Sequence, residues 1–572
     1  MRSLVAFLVL SPLLGLGCGR TPTGVFAGAT GGGDASATAE APSGETRPGE
    51  DSDDTNNSHS VTSSPGDTTD TGETTDTSTS TGVVDCEDTP DLCLVNVTLR
   101  RAVDVLFVVD NSGSMGDEQG TLSASFASFI DVLESQQVGA NYRIGVTTTD
   151  GTGSIRATSC RSRLPEFIFD GTLGMIDERQ RGCLDVCEID SIELPNPWVE
   201  KSNGATNLPP GVSLTEALQC IGPQGINGPG FEAPLESMRR AIVEDFDDFL
   251  RPDALLAVVF VTDEADCSGT LENHNWLRNF GNVFWSDPAA ATSGACWGAG
   301  VRCEGGPGVY DDCEAVDFDQ GGLETDVEDD AVLFPVDRYV DTLRDLAEQK
   351  QAAGGQGEVF VAVLGGVPLD HPQTGEHFYA DSALPEFNGQ YGIGPGCGVG
   401  TETVLSPPGI PPVRLREFAE AFANETRNMF SICSPDYGVA LADIAGSIGE
   451  ISERACVGGC VADSDEDIPG LQPTCSVVEQ FGDGMPDMAV QACVIDGETW
   501  SFPSEEANAC FRRLTDETEG TATPLDDLST QCTTLGAILE FVVERREDAP
   551  IPAGTTVRVT CELAVPLGQV CV

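Results

Sequence analysis

The pattern of apolar and polar positions divides the chain near Val103, where VDVLFVVD forms a continuous apolar run of strand length that ends in a polar, glycine-containing loop. Leu122, Phe126, Phe129, Ile130 and Leu133 follow at helical spacing, then YRIGVTTTD (142–150) predicts a second strand. Helical periodicity returns at Leu235, Met238, Ile242, Phe246 and Phe249. Two more apolar runs, LLAVVFVTD (255–263) and EVFVAVLGG (358–366), predict further buried strands, and Leu441, Ile444 and Ile448 share one face of a final helix. Apolar strands alternating with amphipathic helices define an α/β protein with a doubly wound, mainly parallel, Rossmann-like sheet. Two stretches, 151–225 and 264–333, are rich in Cys, Gly, Pro and acidic residues and too long for ordinary connections. Each follows a strand running toward the carboxyl edge of the sheet, so as insertions they belong near the face where open α/β sheets bind ligands. The alternative is that they only cover apolar surface.

Beyond residue 455 the pattern changes again. Segments such as AILEFVVER and TVRVTCELAV, with eight cysteines over 456–572, predict a small β-rich domain stapled by disulfides. At the other end, residues 19–84 are an acidic Ser/Thr/Gly-rich stretch with almost no large apolar side chains, from which no core can form. As a flexible coil it would span roughly 45 Å, enough to hold a folded part away from a membrane. Residues 85–100 form a cysteine-containing lead-in to the α/β region, 101–455.

Charge narrows the partners. The chain has 93 acidic and 29 basic residues, a net charge of −64, and its lysines are Lys201 and Lys350. Such a surface repels nucleic acid and anionic headgroups, and it attracts divalent cations. The 21 cysteines point to an oxidising compartment. Residues 1–18 have the form of a secretion signal, with Arg2 ahead of an apolar run over Leu4–Leu14. The end of that segment, Leu14-Gly15-Leu16-Gly17-Cys18, resembles the lipobox of bacterial lipoproteins, which implies lipidation at Cys18 and a place in the cell envelope, at the outer membrane or cell surface. Without Cys18, twenty cysteines remain, two before residue 101, ten within 101–455 and eight after it, so each block can pair internally.

The most informative short segment is Asp110-Asn111-Ser112-Gly113-Ser114, directly after a buried strand. A carboxylate and two hydroxyls in a tight loop are hard oxygen donors, suited to Mg²⁺ or Ca²⁺. VDVLFVVDNSGSM resembles the opening of von Willebrand factor A domains, whose metal-ion-dependent adhesion site begins Asp-x-Ser-x-Ser after the first strand. That resemblance, over about residues 101–455 and including SICSPDYGVALADIAGSI, implies that Asp263 in VVFVTDEADCS is a second site residue, with Asp266 as an alternative or supporting ligand. The family's remaining loop supplies a threonine just before a helix. Here GINGPGFEAPLESMRRAI has none, and Glu232 is the nearest oxygen donor, either a substitute ligand or a first-turn carboxylate favoured by the helix dipole. The resemblance implies a divalent cation with an open position that captures a carboxylate from a protein or acidic glycan.

Other features carry less. Asp463-Ser-Asp465-Glu-Asp467 lacks the glycine and the twelfth-position glutamate of a calcium loop. Gly482–Asp487 reads equally as a turn. The four histidines, His59, His274, His371 and His377, offer few general bases; no His-Glu-x-x-His or Gly-x-Ser-x-Gly occurs, and His371 and His377 flank a polar loop as surface residues. A binding module is the expectation, with a structural envelope protein carrying a vestigial metal site, and a secreted hydrolase, as alternatives.

Overall fold

The structure is a computed structural model that describes residues 83–85, 94–99 and 102–563, the last apart from 136–140, 172–173, 245–248, 280, 286–291, 353–356, 402–407, 424–426, 453, 459–460, 465–470, 482–485, 497–498, 516–523, 535, 547–548 and 550–554. The signal segment, Cys18, the acidic stretch, Cys86 and Cys93 lie outside the described residues.

Seven strands form the central sheet: β1 (Ala102–Val109), β2 (Asn141–Thr148), β3 (Val199–Ser202), β4 (Ala205–Thr206), β5 (Leu255–Val261), β6 (Val359–Gly365) and β7 (Met429–Ser431). Their order is β7-β6-β5-β1-β2-β3-β4. The five from β7 to β2 are parallel, whereas β3 and β4 add antiparallel at the edge. The four apolar runs read from the sequence are β1, β2, β5 and β6. Strands β3 and β4 come from inside the first insertion, so part of that insertion extends the sheet rather than decorating it.

Helices α1 (Gly116–Leu133), α2 (Leu214–Ile221), α3 (Pro234–Val243), α5 (Val336–Ala352), α6 (Val413–Glu420) and α7 (Gly438–Ser452) cover both faces, and α4 (Ser293–Gly300) packs within the second insertion. Alternation along β1 explains the layering. Val103, Val105, Phe107 and Val109 face one way and pack with α1, α2 and α7, whereas Leu106 and Val108 face α3, α5 and α6. Phe107 meets Phe126 and Phe129 of α1 edge-to-face, with ring centres 5.3 and 5.5 Å apart. Helix α2 starts in a capping box, Ser213 with Glu216. The periodicity after Leu235 overstates α3, which stops at Val243; Phe249 leaves the helix and buries its ring against Trp198.

All ten cysteines between 101 and 455 pair among themselves: Cys160–Cys183 and Cys187–Cys220 in the first insertion, Cys267–Cys296 and Cys303–Cys313 in the second, and Cys397–Cys433 near β7. The C-terminal region is β-rich and bridged by Cys456–Cys532, Cys475–Cys561 and Cys493–Cys510. One of its sheets includes Leu94–Leu99, paired antiparallel with Thr556–Glu562. Part of the lead-in is therefore a strand of this region, and Val95 and Val97 share its core with Val477, Phe541 and Val559.

At the amino edge of the central sheet Asp104 on β1 is fully buried and would be an uncompensated charge without Arg251. Its carboxylate accepts from the Arg251 backbone N–H (2.6 Å) and Nε (2.8 Å). Lys350, near the end of α5, donates its Nζ to the carbonyls of Arg251 (2.5 Å) and Ala254 (2.9 Å), bringing a second positive charge near. Burial still raises the Asp104 pKa, with Arg251 and then Lys350 opposing it. Removing one partner of such a pair costs about 3–5 kcal/mol. Arg251→Met is expected to destabilise the fold by about 3 kcal/mol in urea melts, and adding Asp104→Leu to recover most of that loss. Equal destabilisation of the single and double variants would count against the pairing argument.

Candidate functional site

Strands β1 and β5 are neighbours, yet the chain leaves β1 toward β2 and leaves β5 toward β6, on opposite sides. Their carboxyl ends therefore open a crevice at the topological switch point of the sheet. Asp110 ends β1 and Asp263 lies just past β5, so register alone brings these two distant segments together: the Asp110 N–H donates to the Val261 carbonyl (2.9 Å), and the Thr262 hydroxyl donates to Asp110 Oδ2 (2.5 Å).

The loop after β1 folds back on its own aspartate. The Ser112 N–H donates to Asp110 Oδ1 (2.7 Å), and the Ser112 and Ser114 hydroxyls are 3.1 Å apart. Gln119 on α1 holds the loop in place. Its Nε2 donates to the carbonyls of Asp110 (2.6 Å) and Gly225 (2.7 Å), and its Oε1 accepts from the Gln224 N–H (2.8 Å). The segment before α3 is thereby pinned beside the Asp110 loop. The Gly228 N–H donates to the Asn111 carbonyl (2.8 Å), and a Cβ at Gly228 would stand 2.5 Å from Asn111 Oδ1, so this approach requires glycine.

Glu232 is fully buried and clamped from both sides: the Cys267 N–H donates to its carbonyl (2.7 Å), and the Ala233 N–H donates to the Thr149 carbonyl (2.7 Å). The Thr149 hydroxyl donates to Glu232 Oε2 and also lies close enough to Asp110 to lower its pKa. A threonine hydroxyl thus does reach this corner, but from the end of β2, not from the loop before α3. The signal for it was the TTTD ending of β2, beside β1 at the carboxyl edge.

Asp266 does not join the group. Its carboxylate is committed to Arg414 Nε (3.0 Å), the Ser268 hydroxyl (2.6 Å) and the Leu235 N–H (3.3 Å), in a buried pair that ties the loop after β5 to α3 and α6. Glu264 and Glu118, which sequence reasoning passed over, do contribute charge to the crevice.

The electrostatics are one-sided. Among the described residues neither carboxylate oxygen of Asp263 has a partner at hydrogen-bond distance, although the Ser114 hydroxyl is near enough to lower its pKa. Glu232 Oε1, Glu118 Oε2 and Asn111 Oδ1 are likewise buried and unpartnered. Burial, then the charge of Asp110, pushes the pKa of Asp263 and of Glu232 well above the carboxylate range. The same two causes raise Glu264 to about 8. Glu118 rises to about 7 through burial, Asp117 and Asp110. A divalent cation would satisfy these hard acceptors, held by Asp110, Ser112 and Ser114 with Asp263 and Glu232 behind. Among the described residues no three Asp, Glu, His or Cys side chains could hold an ion by themselves, so serine hydroxyls would have to complete the set.

Above the crevice is a cavity of about 190 Å³. Ser112, Gly113 and Ser114 form its floor, Phe169 and Ile176 come from a hairpin of the first insertion, and Thr292 and Ser293 come from the second. Both insertions therefore do border the switch point.

No family model and no curated protein matches the chain. Among solved structures it is similar to the pilus adhesin SpaC from Lactobacillus rhamnosus GG in its open conformation, at 11% identity and a TM-score of 0.26. The match covers 85% of this chain and 43% of that one, so the chain spans less than half the adhesin's length. At that score the likeness identifies neither a fold nor an activity.

Because these carboxyls hold protons more tightly in the folded chain than in the unfolded one, the folded state binds the excess protons between the ordinary carboxyl range and about pH 8. Stability is highest at the acid end of that window and falls as pH rises through it. In chelator, the melting temperature is expected to drop from about pH 5 to about pH 8, and Asp263→Asn to flatten the drop and raise the value at about pH 8 by about 3 °C. An unchanged slope in the variant would trace the pH dependence to general surface charge instead.

Proposed function

We propose that this chain is a von Willebrand factor A-type binding module of the cell envelope, which captures a partner's carboxylate through a divalent cation, Mg²⁺ or Ca²⁺, and does not catalyse a reaction. The observation that carries this reading is the set of buried, unpartnered oxygen acceptors around Asp110, Glu232 and Asp263 at the sheet's switch point. Buried charge of one sign demands either protons or a cation. Asp110, Ser112 and Ser114 would hold the ion, while Asp263 and Glu232 would supply charge from behind it. When bound, the cation offers a positive site to a carboxylate oxygen entering through the cavity.

The residues around that site orient and exclude. Gln119 and the Gly228–Asn111 contact hold the Asp110 loop in shape. Phe169 and Ile176 give the cavity an apolar wall, so an acidic group on a slender side chain or sugar fits better than a broad acidic surface, which the net charge of −64 would repel. Among the described residues no histidine lines the cavity, and His274 Nε2 lies 2.7 Å from the Cys267 carbonyl. Eight bridges among the described residues suit an oxidising exterior, and among those residues no helix is long and apolar enough to cross a membrane. Lipidation at Cys18 would supply the membrane attachment.

Calorimetry with Mg²⁺, Ca²⁺ and Mn²⁺ tests the cation directly. The chain is expected to bind at least one of them, and Asp110→Ala to weaken that binding by roughly tenfold or more. Equal heats for both proteins would leave a structural protein with a vestigial site. A pulldown from envelope extract should then yield a partner that chelator releases.

A further inference from the structure

His371 and His377 look unremarkable in sequence, two imidazoles flanking a polar loop after β6. The fold turns them toward each other. His371–Thr374 makes one helical turn, and Gly375 ends it in the left-handed region (φ 66°), reversing the chain so that His377 returns over His371. Their Nε2 atoms stand 3.4 Å apart while the ring centres are 4.6 Å apart, so the nitrogen-bearing edges face each other.

We propose that His371 and His377 form a two-imidazole site for a borderline divalent transition-metal ion such as Zn²⁺ or Cu²⁺, separate from the oxygen-lined crevice. The spacing supports this. Two nitrogens at Zn–N distances near 2.05 Å in a tetrahedral shell lie about 3.3 Å apart, whereas a direct hydrogen bond between nitrogens would draw them to about 3.0 Å. Imidazole nitrogen suits Zn²⁺, Cu²⁺ and Ni²⁺, which hard carboxylate sites do not select.

The surroundings fix the rings. His377 stacks on Tyr379 at 5.9 Å, and the Tyr379 hydroxyl accepts from Arg416 Nη1 (2.8 Å). Arg416 brings a positive charge near the site, but Asp312 (3.6 Å) and Glu420 (3.7 Å) offset it. Among the described residues no third His, Cys, Asp or Glu completes a shell. The remaining positions would be taken by water or by a donor from a second molecule, making this an open site.

The scarcity of histidine makes the test clean, since the other two imidazoles are His59 and His274. Electron paramagnetic resonance of the full chain with one equivalent of Cu²⁺, in excess Mg²⁺ to occupy the acidic surface, should show coupling to two imidazole nitrogens. His371→Ala/His377→Ala should abolish that coupling and weaken Zn²⁺ binding, measured by competition with a chelating dye, by roughly tenfold or more. His274→Ala should leave both unchanged. An oxygen-only spectrum from the unmodified chain, or nitrogen coupling that survives the double substitution, overturns the assignment. Should the double variant melt early, His377→Asn carries the same test, with loss of one nitrogen coupling as the expected result and retention of both as the contradicting one.

Discussion

The crevice between β1 and β5 is governed by one constraint: carboxylates have been taken out of water and, among the described residues, no positive side chain is among the leading influences on them. At the opposite edge of the same sheet, Asp104 is equally buried, and there Arg251 and Lys350 converge on it. Asp266, only three residues beyond Asp263, is paired with Arg414. The fold therefore supplies guanidinium partners where a buried aspartate serves structure. For Asp110 burial leads and is opposed only by hydrogen bonds from Thr262, Ser112 and Thr149, whereas for Glu232 and Asp263 burial is followed by neighbouring carboxylates and only partly relieved by the hydroxyls of Thr149 and Ser114. That contrast within one domain is what the proposed cation site rests on.

The scaffold makes this arrangement tolerable. Parallel strands buried on both faces fix the register of β1 against β5, and the switch point follows from strand order. Disulfides staple the insertions that rise around it, and their apolar contribution, Phe169 and Ile176, shields the crevice from bulk water. Low dielectric strengthens any interaction with an entering cation, at the expense of stability when none is present.

Much of this was legible in the residues, and the gaps have physical causes. Continuous apolar runs announced β1, β2, β5 and β6, and the polar termination of β1 announced the Asp110 loop. The strand β3, Val-Glu-Lys-Ser, has only four residues, mostly polar, so no periodicity distinguishes it from loop. Leu94–Leu99 pairs with a segment more than 450 positions away, which no local pattern encodes. Helix α5 carries so many charged residues on its exposed side that its buried stripe of Val336, Tyr339, Val340 and Leu343 is diluted. In the crevice, Asp110, Ser112, Ser114, Asp263 and Glu232 are the residues that loop position and residue type single out. Thr149 does not stand out that way, since its place depends on β2 lying beside β1, and the pairing of Asp266 is hidden because Arg414, its partner, is 148 residues distant.

The central claim is that the oxygen cluster at the switch point exists to hold a cation. Crystals grown with Mn²⁺ and measured for anomalous scattering would test it most directly. A single strong peak within about 2.2 Å of oxygens from Asp110, Ser112 and Ser114 is the expected result. Ordered protein with no peak there, or with peaks only on the acidic exterior, would contradict the account.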